Sequence, residues 1–126
     1  MFEKVCFIGL GLIGASLAQA MRDKKLAKSI VAVSRSQSTI DKGIKYGLLD
    51  AGFDDAALAV QGADLVVIAT PVQAVKKIFE QIKPIITDKT IIMDVGSTKG
   101  NIIADASAVF GEDMPKGFVP AHPIAG

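Results

Sequence analysis

The chain has 126 residues, half of them hydrophobic and 21% charged, with a formal net charge of +1. One domain of this size buries roughly two-thirds of its unfolded surface, and aliphatic residues spread along the whole length exclude a disordered chain. Near-zero charge removes the electrostatic case for a nucleic acid or an anionic membrane as partner, no apolar run reaches the ~18 residues of a membrane span, and the single Cys6 excludes an internal disulfide or a multi-cysteine metal site.

The opening run MFEKVCFIGLGLIG has Glu3 where a secretory leader needs basic residues. Two glycines interrupt its apolar stretch and no small-residue cleavage site follows, so a cytoplasmic protein is expected. Lys4 to Gly9 predicts a strand, with Cys6 a small buried hydrophobe inside it. Ile13, Leu17 and Met21 recur at four-residue spacing and predict a helix. Ser29 to Ser34 is a second strand. STIDKGIKYG predicts a helix capped by Ser38 or Thr39 and stopped at Gly47. LLDAGF reads as a short third strand and DDAALAVQG as a brief helix. Asp64 to Ala69 is nearly all apolar, as a strand covered on both faces requires. Val72, Val75, Phe79 and Ile82 mark one face of a helix that Pro84 ends. Thr90 to Gly96 is another buried strand. Ile102, Ile103, Ala106, Val109 and Phe110 mark a further helix, and GFVPAH a last short strand.

Strand and helix alternate throughout. That order predicts an α/β fold: a Rossmann-type, doubly wound, mainly parallel sheet with helices on both faces, joined by right-handed crossovers. Ligands of such sheets bind beyond the carboxyl ends of the strands, where the strand order reverses. The loops after the strands are therefore where chemistry is expected.

GLGLIG sets Gly9, Gly11 and Gly14 in the spacing G-x-G-x-x-G, between a strand and a helix. Gly9 would make the tight turn, Gly11 would let backbone amides approach a pyrophosphate, and Gly14 would let helix and strand pack closely. The first-turn amides, those of Leu12 and Ile13 among them, and the helix dipole favour a negative ligand. The pattern predicts dinucleotide binding; a methyl-donor cofactor is the lesser alternative, and three glycines that simply make a tight connection the plainest one. An NAD site places a carboxylate about 20 positions past the last glycine. Here that stretch is Ser34-Arg35-Ser36, with no carboxylate. A guanidinium and two hydroxyls suit a 2′-phosphate, so NADP is favoured over NAD. Arg35 alternatively stays solvated or stacks on the adenine.

In ATPV, Thr70 is positioned to cap a helix that begins at Pro71, and the same loop would border the cofactor's ribose and nicotinamide. In DVGSTKG, Thr98 reads as a helix cap, Ser97 as either a cap or a site residue, Lys99 as solvated and Asp94 as structural. His122, the one histidine, precedes Pro123, which holds its backbone extended. Its ordinary pKa of ~6.5 suits it to accept a proton from an alcohol as hydride leaves the adjoining carbon.

VCFIGLGLIGASLA, VSRS, ATPV, DVGSTKG and HPIAG, in this order and over essentially the whole chain, resemble the N-terminal domain of the prephenate/arogenate (cyclohexadienyl) dehydrogenases of tyrosine biosynthesis, the TyrA family. The resemblance implies that residues 1–126 form a dinucleotide-binding domain, with a helical domain for dimerisation and substrate binding absent from this chain. It implies oxidative decarboxylation of prephenate or arogenate with hydride transfer to NAD(P). His122 would assist deprotonation of the ring hydroxyl, and Ser97 would orient that hydroxyl and His122. The family's contacts to the substrate carboxylate would lie past Gly126. The complete enzyme would be a homodimer with a small-molecule substrate and no metal, and the fragment alone would be inactive. Two competing readings remain, another two-domain hydroxyacid or imine dehydrogenase and a non-enzymatic module that senses nicotinamide dinucleotides.

Overall fold

Successive side chains of a strand point to opposite faces, and the first strand, β1 (Phe2–Ile8), is buried on both. Val5 and Phe7 enter one core layer, Cys6 and Ile8 the other. The computed structural model describes residues 2–70, 72–95 and 117–120, with the backbone alone for Leu12, Ile13, Val72, Gln73 and residues 117–120. After β1 come α1 (Gly11–Asp23), β2 (Ala27–Val33), α2 (Gln37–Lys45), β3 (Ala51–Phe53) and α3 (Ala56–Val60). Then follow β4 (Leu65–Ile68), α4 (Val72–Ile82), β5 (Ile91–Asp94) and β6 (Gly117–Pro120). The helix expected over residues 102–110 lies outside the described residues.

All neighbouring strands pair parallel, in the order β3-β2-β1-β4-β5-β6. The chain thus builds outward from β1 in one direction, then returns and builds outward in the other. Ala18 and Met21 of α1 cover the Val5 and Phe7 face. Residues of α3 and α4, among them Ala59, Val75 and Phe79, cover the Cys6 and Ile8 face. Cys6 is fully enclosed, and burial pushes its thiol up to about 12. It is a packing residue, as its apolar surroundings in the sequence suggest.

Two strands begin earlier than hydropathy indicates. β1 starts at Phe2 and β2 at Ala27, paired with each other. Glu3 and Lys28 at these entries are exposed and make an ion pair at 3.2 Å. Apolar patterning reports burial, and these residues are in the ladder without being buried. The cap of α2 also differs from expectation: Ser36, not Ser38 or Thr39, accepts the Thr39 N–H, at 3.3 Å.

Two aspartates fasten the rim where the strands begin. Asp64 accepts the backbone N–H groups of Glu3 and Lys4, at 2.9 and 3.0 Å. Asp50 accepts the Ile30 N–H at 2.8 Å and pairs with Arg22 at 2.7 Å. Desolvation works against ionisation of Asp50, but the Ile30 amide and the Arg22 guanidinium outweigh it and hold its carboxyl below the ordinary value of 3.8.

Candidate functional site

The opposite rim, at the carboxyl ends of the strands, carries the glycine turn. Gly9 has φ 77° and donates its N–H to the Val33 carbonyl at 2.9 Å, tying the turn to the end of β2. A Cβ on Gly9 would lie 2.9 Å from Thr70 Cγ2 and 3.1 Å from the Ala69 carbonyl oxygen. Turn geometry and the approach of the chain after β4 therefore both require glycine there. Gly11 differs in kind: its φ is 52°, and apart from its chain neighbours and its own helix backbone no atom of the described residues lies within 4 Å of where its Cβ would stand. That is the open backbone an approaching ligand needs. Gly14 is buried, yet its missing Cβ would meet Ala69 Cβ at 3.4 Å, an ordinary contact. Close helix packing is present at Gly14 but demands glycine less strictly than at Gly9.

The N-terminus of α1 is left unmet. Its N-cap residue, Leu10, supplies no side-chain hydrogen bond, and the first turn holds no acidic residue. The free amides and the dipole at that end, where Leu12 and Ile13 lie, suit an anion.

Beside the turn lies a cavity of about 430 Å³. β1 contributes Ile8 and Gly9, and the end of β2 contributes Val33, Ser34 and Arg35. Asp54 enters after β3 and Thr70 after β4. The far wall is one stripe of α4: Ala74, Lys77, Ile78 and Gln81. Four of the residues expected from sequence, Gly9, Ser34, Arg35 and Thr70, are thus brought to one cavity by three different strands.

Thr70 does not cap α4. Its Oγ1 is buried and has no hydrogen-bond partner among the described residues, which costs about 1–3 kcal/mol unless a ligand supplies one. Ser34 Oγ accepts the Ser36 N–H at 3.1 Å, and Ser36 Oγ caps α2 and lies 3.0 Å from Ser38 Oγ. Ser36 therefore shapes the loop that presents Arg35 and does not itself line the cavity. Pro71, Ser97, Thr98, Lys99 and His122 lie outside the described residues. The strands that precede Ser97 and His122 in sequence are neighbours in register, Asp94 opposite Pro120, so β5 and β6 end at this same rim. Asp94 is buried at the end of β5, in keeping with a structural residue.

Sequence reading missed Asp54, Lys77 and Gln81. The signal for the α4 residues is their spacing, since positions 74, 77, 78 and 81 describe a second helical stripe beside the buried one at 75, 79 and 82. Asp54 reaches the site only through the pairing of β3 with β2. Among the described residues, no helix is long and apolar enough to cross a membrane.

Known proteins align with this whole arrangement. The chain is similar to the prephenate dehydrogenase of Bacillus subtilis, 33% identical across all of this chain and 34% of that protein. It is similar to the cyclohexadienyl dehydrogenase of Zymomonas mobilis, 32% identical across all of this chain and 42% of that one. Among solved structures, prephenate dehydrogenase from A. aeolicus in complex with hydroxyphenyl propionate and NAD+ matches the whole chain and 43% of its own, with TM-score 0.85 and 27% identity. Synechocystis arogenate dehydrogenase matches 95% of this chain and 40% of its own, with TM-score 0.78 and 35% identity. The chain spans 34% and 42% of the lengths of the two curated relatives. A family model described as "Prephenate dehydrogenase, nucleotide-binding domain" matches residues 17–126, and with the parallel sheet, the glycine turn and the cavity at its rim in place, the chain belongs to that family.

Proposed function

We propose that this chain is the cofactor domain of an oxidoreductase that oxidatively decarboxylates prephenate or arogenate, with hydride transfer to NAD(P), in tyrosine biosynthesis. The observation that carries the reading is the cavity where the strand order reverses. It is lined by Gly9, Ser34, Arg35 and Thr70, whose buried hydroxyl has no partner among the described residues, and α1 begins two residues past Gly9, with no capping side chain and open space at Gly11. Those features fit a dinucleotide, whose diphosphate would meet the α1 amides and whose polar groups would satisfy Thr70.

When bound, the dinucleotide would supply the acceptor for the hydride that leaves the substrate ring. The α1 amides hold the diphosphate, and Ser34 and Arg35 hold the adenosine ribose. NADP is favoured over NAD, because Arg35 and Lys77 both line the cavity and no carboxylate follows β2. His122 hydrogen-bonds the ring hydroxyl and takes its proton, while Ser97 orients both groups. The bond to the departing carboxylate then breaks, and loss of carbon dioxide makes the ring aromatic. Thr70 and Pro71 border the ribose and the nicotinamide. A homodimeric enzyme and a cytoplasmic location belong to the same proposal.

The test is an assay of the full-length protein with prephenate and arogenate against NADP and NAD. His122→Asn should lower kcat by ~10²–10⁴-fold, as loss of a general base does, while dinucleotide affinity stays unchanged. Ordinary turnover in that variant would remove His122 from the mechanism.

A further inference from the structure

Two adjacent acids, Asp54 and Asp55, follow β3, and among the described residues only Asp55 has a partner. Asp55 accepts the N–H groups of Ala57 and Leu58, at 2.8 and 3.4 Å, and so caps α3. Asp54 makes no hydrogen bond or ion pair among the described residues, although Arg35 and Lys77 line the same cavity. Asp54 and Gln81 also line a more open depression beyond that cavity, so the two residues mark its outer end.

Strand register places Asp54 relative to the glycine turn. Val33 pairs with Phe53, and the Ser34 N–H donates to the Phe53 carbonyl at 3.0 Å. Asp54 thus stands beside Ser34, one strand further from Gly9. Neighbouring strands lie roughly 4.8 Å apart, so β1, β2 and β3 step across roughly 10 Å. A nucleotide with its diphosphate at Gly9 and its ribose at Ser34 carries its base to the third step. Val33, Ala56, Ala74 and Ile78 provide apolar surface for the flat faces of a base. At the outer end stands the Asp54 carboxylate, whose oxygens are hydrogen-bond acceptors.

We propose that Asp54 reads the base of the dinucleotide by accepting a hydrogen bond from the exocyclic amine of adenine. A base with a carbonyl at that position would set two acceptors against each other. The inference rests on the dinucleotide-binding reading above. It gives Asp54 a part in specificity that Asp55, already occupied as a cap, does not share.

The test is calorimetric titration of the full chain with NADP and with its hypoxanthine analogue, which carries a carbonyl in place of the amine. The wild-type protein should prefer the adenine form by about tenfold, in keeping with one charge-assisted hydrogen bond. Asp54→Asn offers both a donor and an acceptor and should bring the two affinities within about twofold. Asp54→Ala should weaken the adenine form and leave the hypoxanthine form nearly unchanged. Nicotinamide mononucleotide, which lacks the base, should bind all three proteins alike. A wild-type preference that persists in both variants would overturn the role of Asp54 while leaving dinucleotide binding intact. Failure of both dinucleotides to bind the wild-type protein would overturn the two proposals together.

Discussion

Gly9 and Thr70 depend on each other. Thr70 Cγ2 sits where a side chain on Gly9 would have to go, and the Thr70 hydroxyl is buried without a partner among the described residues. The residue carries an unmet polar group that binding can satisfy. The proposed coenzyme choice also rests on single side chains. Ser34→Asp combined with Arg35→Ala would replace a cation with a carboxylate at the end of β2, where a ribose hydroxyl is a better partner than a phosphate. Calorimetry should show NADP affinity falling at least about tenfold relative to NAD, the scale of one lost charge-assisted contact; an unchanged ratio would take Arg35 out of phosphate recognition. Gly9, Ser34, Arg35 and Thr70 were legible in the sequence because each lies within or just after a strand that hydropathy reveals. Asp54 was not, since only the pairing of β3 with β2 brings it in, and the spacing of Lys77 and Gln81 marks a second helical stripe without saying that the rotation of α4 turns it to the cavity.

Elements end where backbone chemistry permits, and these ends are the least legible part of the sequence. α1 closes with the Leu26 N–H donating to the Met21 carbonyl at 2.9 Å and the Lys25 N–H to the Arg22 carbonyl at 3.1 Å. That paired closure needs a left-handed residue, and Lys25 supplies it with φ 54°. Glycine adopts this conformation without the Cβ penalty. Lys25→Gly should therefore raise stability by ~1 kcal/mol, read as a higher urea midpoint with an unchanged slope. A lower midpoint would show that the lysine side chain has a role its exposure does not reveal. No glycine marks this helix end, so sequence alone gave no boundary there. At α2 the signal was present but ambiguous, because Ser36, Ser38 and Thr39 are all capable caps and only the path of the loop selects Ser36.

The molecule as a whole divides its labour between the two rims of one sheet. Arg22, Asp50 and Ile30 tie α1, β2 and the entry to β3 together. Asp50 is held below 3.8 in the folded chain, so its contribution to stability is complete above that value and is lost as pH falls through the lower folded value. The stability difference between wild type and Asp50→Asn should be largest near neutrality and shrink below about pH 4, measured by urea unfolding across pH. A difference that stayed constant into acid would show that packing, not charge, is what the substitution removes. The alternation of strands and helices made this sheet legible from the sequence, while its fasteners were hidden among ordinary surface charges. Gly9 and the Asp64 clamp on Lys4 sit at opposite ends of β1, roughly 15–20 Å apart at strand rise. Sites so far separated and sharing no partner act independently. The proposed coenzyme preference and thermal robustness would thus be separable traits in this scaffold: a lineage, or a designer, could exchange one coenzyme for another at the glycine-turn rim while tuning heat tolerance at the other.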